Sequence, residues 1–260
     1  MGHVTSKDGT RIAYERLGSG PAVIFIDGAL CSRSFGPSRK IAELLQQHFT
    51  VYLYDRRGRG ESGDTQPYAK AREVEDIEAL IAAAGGSAFA VGVSSGAALA
   101  LEAAASGLAL TKLAVYEPPF MVDDRRHAQL DHEGKLKALV AGGQRGAAVK
   151  YFMRDMVNAP AFVVFMMQLM RGVWRKLQAV AHTLPYDAAV MGDWQIPARL
   201  AALQTPTLAM YGGKTDTRLK RSVEQLAKVL PNVRRQELPG QTHNVAAAAL
   251  VPALVVYFKE

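Results

Sequence analysis

The segment Gly92-Val93-Ser94-Ser95-Gly96 sets one serine between two glycines. An apolar run, Ala88 to Val93, precedes it and an alanine-rich stretch, 95–106, follows it. A sharp turn from strand to helix strains the backbone at its apex, so small residues must flank it. The Ser94 hydroxyl would then stand clear of the sheet, and the helix N-terminus beyond it favours developing negative charge. A hydroxyl needs a base to become a nucleophile. Of the six histidines, His243 sits in Pro239-Gly240-Gln241-Thr242-His243-Asn244, after the last strand and before the last helix. His48 and His182 have helical or loop surroundings, and His127 and His132 lie in a charged segment. The base in turn needs a carboxylate to orient it. Asp216, in Gly213-Lys214-Thr215-Asp216, and Glu117, which ends Leu113-Ala114-Val115-Tyr116, both precede His243 and both stand at strand ends. Asp216 also suits the N-cap of the helix that follows it.

The elements that must carry these groups alternate. Residues 3–7 and 10–16 read as a hairpin turning at Asp8-Gly9. Strands are expected at 21–26, 51–54, 88–93, 113–116, 206–211 and 233–238, and helices at 39–47, 69–84, 95–106, 217–230 and 245–258. Such alternation implies an α/β fold with a mostly parallel sheet covered by helices on both faces. The stretch from Pro118 to about Leu203 breaks the pattern. It reads as helical and holds seven of the nine methionines, together with Phe152, Phe162, Phe165, Trp174 and Trp194. We read 118–203 as a helical cap inserted into a core formed by 1–117 and 204–260. Met-rich apolar surface adapts to irregular ligands; the same residues could equally build the cap's own core. Phe165 and Met167 are the positions at which a change is expected to shift chain-length preference.

Taken together, Gly92–Gly96, the loop Asp55-Arg56-Arg57-Gly58-Arg59-Gly60-Glu61-Ser62 and Pro239–His243 resemble the nucleophile elbow, the D-x-R-G-x-G-x-S loop and the histidine loop of α/β-hydrolase-fold serine hydrolases. The likeness covers nearly the whole chain. It implies the order Ser94, acid, His243, with backbone N–H groups of Ser95 and of Ala29 or Leu30 as oxyanion donors. Where the family carries His-Gly ahead of the first donor, this chain has Asp27-Gly28. Asp216 matches the commoner position of the acid, after the family's seventh strand, and Glu117 a second position, after the sixth. Strands lie about 4.8 Å apart, so either could reach the imidazole. The Gly213–Asp216 match favours Asp216. The cost of burying an unpaired carboxylate favours Glu117, which follows an apolar strand and precedes Pro118-Pro119. The reading takes Asp216, with Glu117 as the rival.

The rest of the sequence excludes more than it adds. In 260 residues, 49% are hydrophobic and 21% charged, an ordinary globular balance. A single cysteine, Cys31, rules out an intrachain disulfide and agrees with a reducing, cytoplasmic setting. No apolar leader or 20-residue apolar run is present, so no membrane association is expected. Gly2 and Ser6 fit a short myristoylation pattern, though the same residues read as an edge strand. The net charge of +7 reflects basic residues at 214–235, opposite Leu219, Val223, Leu226 and Leu230. That is a solvated helix face, with no interleaved aromatics for nucleic acid. Gly58-Arg59-Gly60-Glu61-Ser62-Gly63 matches a dinucleotide fingerprint but does not open a helix directly after a strand. No cofactor and no metal are expected. The resemblance implies a serine hydrolase of a small or medium hydrophobic ester or lactone. C–C bond hydrolases and cofactor-free perhydrolases share its residues, and a capped pocket could also serve a non-catalytic receptor.

Overall fold

The computed structural model describes residues 1–122 and 130–260, so His127 lies outside the described residues. Eight strands form one sheet in the order β1-β2-β4-β3-β5-β6-β7-β8. They are β1 (Gly2–Thr5), β2 (Arg11–Leu17), β3 (Ala22–Ile26), β4 (Thr50–Tyr54), β5 (Ala88–Val93), β6 (Leu110–Tyr116), β7 (Thr207–Gly212) and β8 (Val233–Leu238). The β1–β2 hairpin pairs Val4 with Ile12, and β2 runs antiparallel to β4. Every later pairing is parallel. The hairpin turn behaves as Asp-Gly turns do: Gly9 has φ 83°, and the Asp8 carboxylate accepts the Thr10 N–H at 3.0 Å.

Strand alternation divides the core between the two faces. Val23 and Phe25 of β3, Val51 and Leu53 of β4, and Leu208 and Met210 of β7 face one way. There they meet Ile41 and Leu45 of α1 (Ser38–Leu45) and Leu250, Leu254 and Phe258 of α10 (Ala247–Lys259). Ile24, Ile26, Leu113, Val115 and Ala209 face the other way, onto α2 (Lys70–Ala83), α3 (Ser95–Ala105) and α9 (Thr217–Val229). Each of these large side chains contributes roughly 1.5–3 kcal/mol by leaving water. The expected α/β architecture is the observed one.

Between β6 and β7 the described chain is helical: α4 (His132–Ala141), α5 (Arg145–Tyr151), a π turn at Phe152–Met156, α6 (Ala161–Leu169), α7 (Arg171–Ala179) and α8 (Leu184–Met191). No helix among the described residues is long and apolar enough to cross a membrane.

The turn after β5 leaves no room for side chains at its glycines. A Cβ on Gly92 would lie 2.5 Å from the Gly96 carbonyl oxygen. One on Gly96 would overlap the Ile26 carbonyl oxygen and lie 2.5 Å from that of Asp27. Gly96→Ala is therefore expected to destabilise the protein by at least ~2 kcal/mol, since backbone must move to admit the methyl. Gly172→Ala, with open space around it in α7, should be neutral or stabilising. Thermal unfolding of the two variants checks the contrast; equal midpoints would refute the packing argument.

Candidate active site

Strands β5, β6 and β7 are adjacent and parallel, so their C-terminal ends share one edge of the sheet. Ser94 follows β5 with φ 56° and ψ −127°, and its N–H is tied to the Tyr116 carbonyl at 2.9 Å. Glu117 follows β6 with φ 48° and is fully buried. His243 lies in the loop between β8 and α10. Tyr116 Oη donates to the Thr242 carbonyl at 2.6 Å, and Lys214 N–H to the Gln241 carbonyl at 2.8 Å, which fastens that loop to the ends of β6 and β7.

These placements bring three groups into line. His243 Nδ1 is 2.6 Å from Glu117 Oε2, and His243 Nε2 is 3.2 Å from Ser94 Oγ. Glu117 also accepts the Gly212 N–H on Oε1 at 2.7 Å and the Thr215 hydroxyl on Oε2 at 3.0 Å. With every neighbour acting as a donor, the carboxylate accepts the Nδ1 proton. The Nε2 lone pair is then left facing the serine hydroxyl.

The structure therefore sets Glu117, and not the preferred Asp216, beside His243. Asp216 is exposed and N-caps α9, accepting Arg218 N–H at 2.8 Å and pairing with the Arg218 guanidinium at 3.0 Å. The Arg218 hydrogen bonds hold its carboxyl below the usual range. It lines the cavity beside Ser94, but its hydrogen bonds and its ion pair go to Arg218 and not to the imidazole. The choice is physical: Glu117 has nowhere to go but into the site, while Asp216 satisfies itself locally.

Ser94, Ser95, His243 and Ala29 line a cavity of about 300 Å³ with apolar walls from Phe152, Met156, Met191 and Trp194. Ser95 opens α3, so its N–H has no acceptor within the helix. Leu30 is buried with φ 62° behind Ala29 and is not a cavity residue. Five non-glycine residues among those described have positive φ, and Leu30, Ser94, Glu117 and Trp194 are four of them. Backbone strain of this kind costs on the order of 1–3 kcal/mol per residue, and here it is concentrated around one cavity. Phe165 and Met167 do not line it. Phe165 is 58% exposed, on the same outward face of α6 as Phe162 and Met166, while Met167 packs on the core. Met121, Met156 and Met191 supply the methionine surface instead.

Sequence reasoning passed over Asp187. It enters from α8, is buried, and lines the cavity. Arg56 and Arg59 of the Asp55–Ser62 loop donate to its two oxygens at 2.7 Å each, and Ser95 Oγ donates to it at 2.8 Å. Burial opposes its charge, but the two guanidiniums and the hydroxyl outweigh that and hold the carboxyl below the usual range. Nothing in the local sequence Pro185-Tyr186-Asp187 announces such a partner.

Asp27, which replaces the expected histidine, is 2% exposed, and neither of its carboxyl oxygens has a hydrogen-bond partner among the described residues. Burial pushes it up to about 7, against the pull of Arg59 and Arg56. Burial and the neighbouring Asp27 push the Cys31 thiol up to about 12, which makes it inert, and it does not line the cavity. Among the described residues no group of three His, Cys, Asp or Glu side chains is placed to hold a metal.

Residues 19–256 match the alpha/beta hydrolase family. The chain belongs to that family. A crystal structure of an alpha/beta hydrolase from Sphaerobacter thermophilus is 52% identical and superposes with a TM-score of 0.93 over 99% of this chain and 100% of that one. A non-heme haloperoxidase from Rhodococcus erythropolis is 27% identical across 94% of this family member and 93% of its own length. The enol-lactonase of Burkholderia xenovorans shares the fold, with a TM-score of 0.74 at 17% identity over the full length of both chains.

Two outcomes are expected from these contacts. Glu117→Gln should lower kcat by roughly 10²–10⁴-fold, as loss of the orienting carboxylate does elsewhere, while Asp216→Asn should stay within about threefold because its bonds are local. The reverse pattern in steady-state rates would overturn the assignment. The second concerns Asp27. Its folded-state value lies above the ordinary 3.8, so the folded chain holds a proton that the unfolded chain releases. Stability from this group is complete below about pH 4 and is lost as pH rises through 7, by up to about 4 kcal/mol. Asp27→Asn should therefore gain stability relative to wild type between pH 5 and pH 8; a pH-independent difference in denaturant midpoints would exclude the titration.

Proposed function

We propose that this family member is a serine hydrolase of small or medium hydrophobic carboxylic esters or lactones, working through an acyl-enzyme. The observation that carries the reading is the unbroken line from Glu117 through His243 to Ser94, at 2.6 and 3.2 Å, ending in an apolar cavity of about 300 Å³. In the proposed cycle Ser94 Oγ attacks the carbonyl carbon as its proton passes to His243 Nε2. Glu117 keeps the imidazole oriented and balances the imidazolium charge. The Ser95 and Ala29 N–H groups receive the oxyanion. His243 returns the proton to the leaving alkoxide, and water then splits the acyl-enzyme by the same route. The cavity volume sits at the lower end of small-molecule sites, which favours compact acyl groups.

The likeness to a haloperoxidase favours a second reading with the same first half-reaction. Hydrogen peroxide rather than water would then intercept the acyl-enzyme and release a peracid. A receptor with an inert serine is the reading from another class.

One set of measurements separates them. Wild type is expected to take a fluorophosphonate label on Ser94 and to hydrolyse aryl esters of short chain. Ser94→Ala should abolish labelling and lower turnover on the order of 10⁴-fold or more while keeping the fold, because the change removes one oxygen. Unlabelled wild type would sink the catalytic reading. Acyl transfer to added peroxide that outpaces hydrolysis would favour the second.

A further inference from the structure

The helical insertion contributes more than walls to the cavity. Among the described residues of the insertion, Asp187 is the carboxylate bonded to the loops at the end of the sheet, and it reaches both proposed oxyanion donors by short paths. On one side Ser95 Oγ donates to Asp187 Oδ1 at 2.8 Å, which fixes the first residue of α3. On the other, Arg59 donates through Nη2 to Asp187 Oδ2 at 2.7 Å and through Nη1 to the Gly28 carbonyl at 2.6 Å. Gly28 C=O and Ala29 N–H belong to one peptide unit. In a trans peptide they point in opposite directions. Gripping the Gly28 oxygen therefore aims the Ala29 N–H the other way, and polarising that oxygen strengthens the N–H as a donor. Arg56 completes the frame, donating to Asp187 Oδ1 at 2.7 Å and to the Asp27 carbonyl at 3.3 Å while Glu73 holds its other edge at 2.6 and 2.7 Å.

We infer that Asp187 is a positioning residue for oxyanion stabilisation: through Ser95 and through Arg59 it sets the two N–H groups that receive the developing negative charge. The inference rests on the serine-hydrolase reading. Asp187 touches neither nucleophile nor base in the structure, so its effect runs through those donors. It follows that the insertion and the sheet share one catalytic feature. A side chain on α8 tensions the loop after β3 and the turn after β5 at once. A purely structural ion pair would support folding without favouring the transition state over the ground state. A positioning role favours the transition state, where the oxyanion exists, and leaves the planar ester almost untouched.

The experiment compares wild type, Ser95→Ala, Arg59→Lys and Asp187→Asn on one aryl ester. Active sites are counted by fluorophosphonate labelling carried to completion, so that misfolded protein drops out. Ser95→Ala and Arg59→Lys each cut one path; Ser95→Ala removes no buried charge and keeps the test available if Asp187→Asn or Arg59→Lys does not fold. Per labelled site, kcat should fall by about 10- to 100-fold for Asp187→Asn and less for each single path, with KM within about twofold. The inhibition constant of an aryl trifluoromethyl ketone, whose adduct carries the oxyanion, should rise by the same factor as kcat/KM falls. Adding Ser95→Ala to Asp187→Asn should cost less than Ser95→Ala costs in wild type, because the two changes act on one path. Variants whose kcat per labelled site matches wild type would overturn the inference, as would losses confined to KM. Wild type that takes no label would bring down the serine-hydrolase reading, and this inference with it. A labelled wild type with indifferent variants would bring down this inference alone.

Discussion

Three parallel strand ends at one edge of the sheet are the constraint on which the site depends. β5, β6 and β7 are hydrogen-bonded neighbours, so Ser94, Glu117 and Gly212 emerge side by side. The spacing of about 4.8 Å between strands is fixed by backbone hydrogen bonding and not by the side chains. What the side chains add is closure. Ser94 turns back at φ 56°, and the glycines around it let α3 approach the loop after β3. Move β5 and the 3.2 Å contact of His243 is lost; move β6 and the 2.6 Å contact is lost.

Buried charge is the second organising fact. Arg56, Arg57 and Arg59 are each at most 1% exposed, and each is matched: Arg56 to Glu73 and Asp187, Arg57 to Asp76 and Asp8, Arg59 to Asp187. Removing one partner of such a pair typically costs about 3–5 kcal/mol, whereas the intact pair adds little net stability. The network therefore acts mainly as a specification of geometry. It holds the Asp55–Ser62 loop, the β1–β2 turn, α2 and α8 in a single arrangement around the cavity. Glu117 follows the same rule on a smaller scale, with three donors around one fully buried carboxylate. Asp27 is the exception, a buried carboxyl without a hydrogen-bond partner among the described residues, and burial raises it to about 7.

How much of this was legible beforehand differs by element. The strand and helix alternation, the hairpin at Asp8-Gly9 and the turn at Ser94 all come from local chemistry: side-chain period, glycine tolerance and the match of apolar runs to strand length. The boundaries shift by a residue or two, and β6 begins at Leu110, before the apolar core of the strand. The aromatic and methionine content of the insertion was visible, yet which residues face the cavity was not. Periodicity tells that α6 has an apolar face; it does not tell that this face, with Phe162 and Phe165, points outward.

The sequence by itself determined the fold class, through the alternation of apolar periods along the chain, the serine at the strand-to-helix turn, through the small residues beside it, and the histidine, through its place between the last strand and the last helix. Which carboxylate stands beside His243, the counter-ion of the buried arginines and the lining of the cavity were decided by tertiary structure alone. As text Asp216 and Glu117 pull in opposite directions, one by its motif and the other by its apolar setting. They differ because Asp216 finds its donors in Arg218, two residues on, while Glu117 finds them in Gly212, Thr215 and His243, 95 to 126 positions away. Asp187 lies 131 positions from Arg56 and 128 from Arg59. A buried carboxylate cannot remain unpaired at low cost, but which distant donors it meets is settled only when the sheet and the insertion pack together.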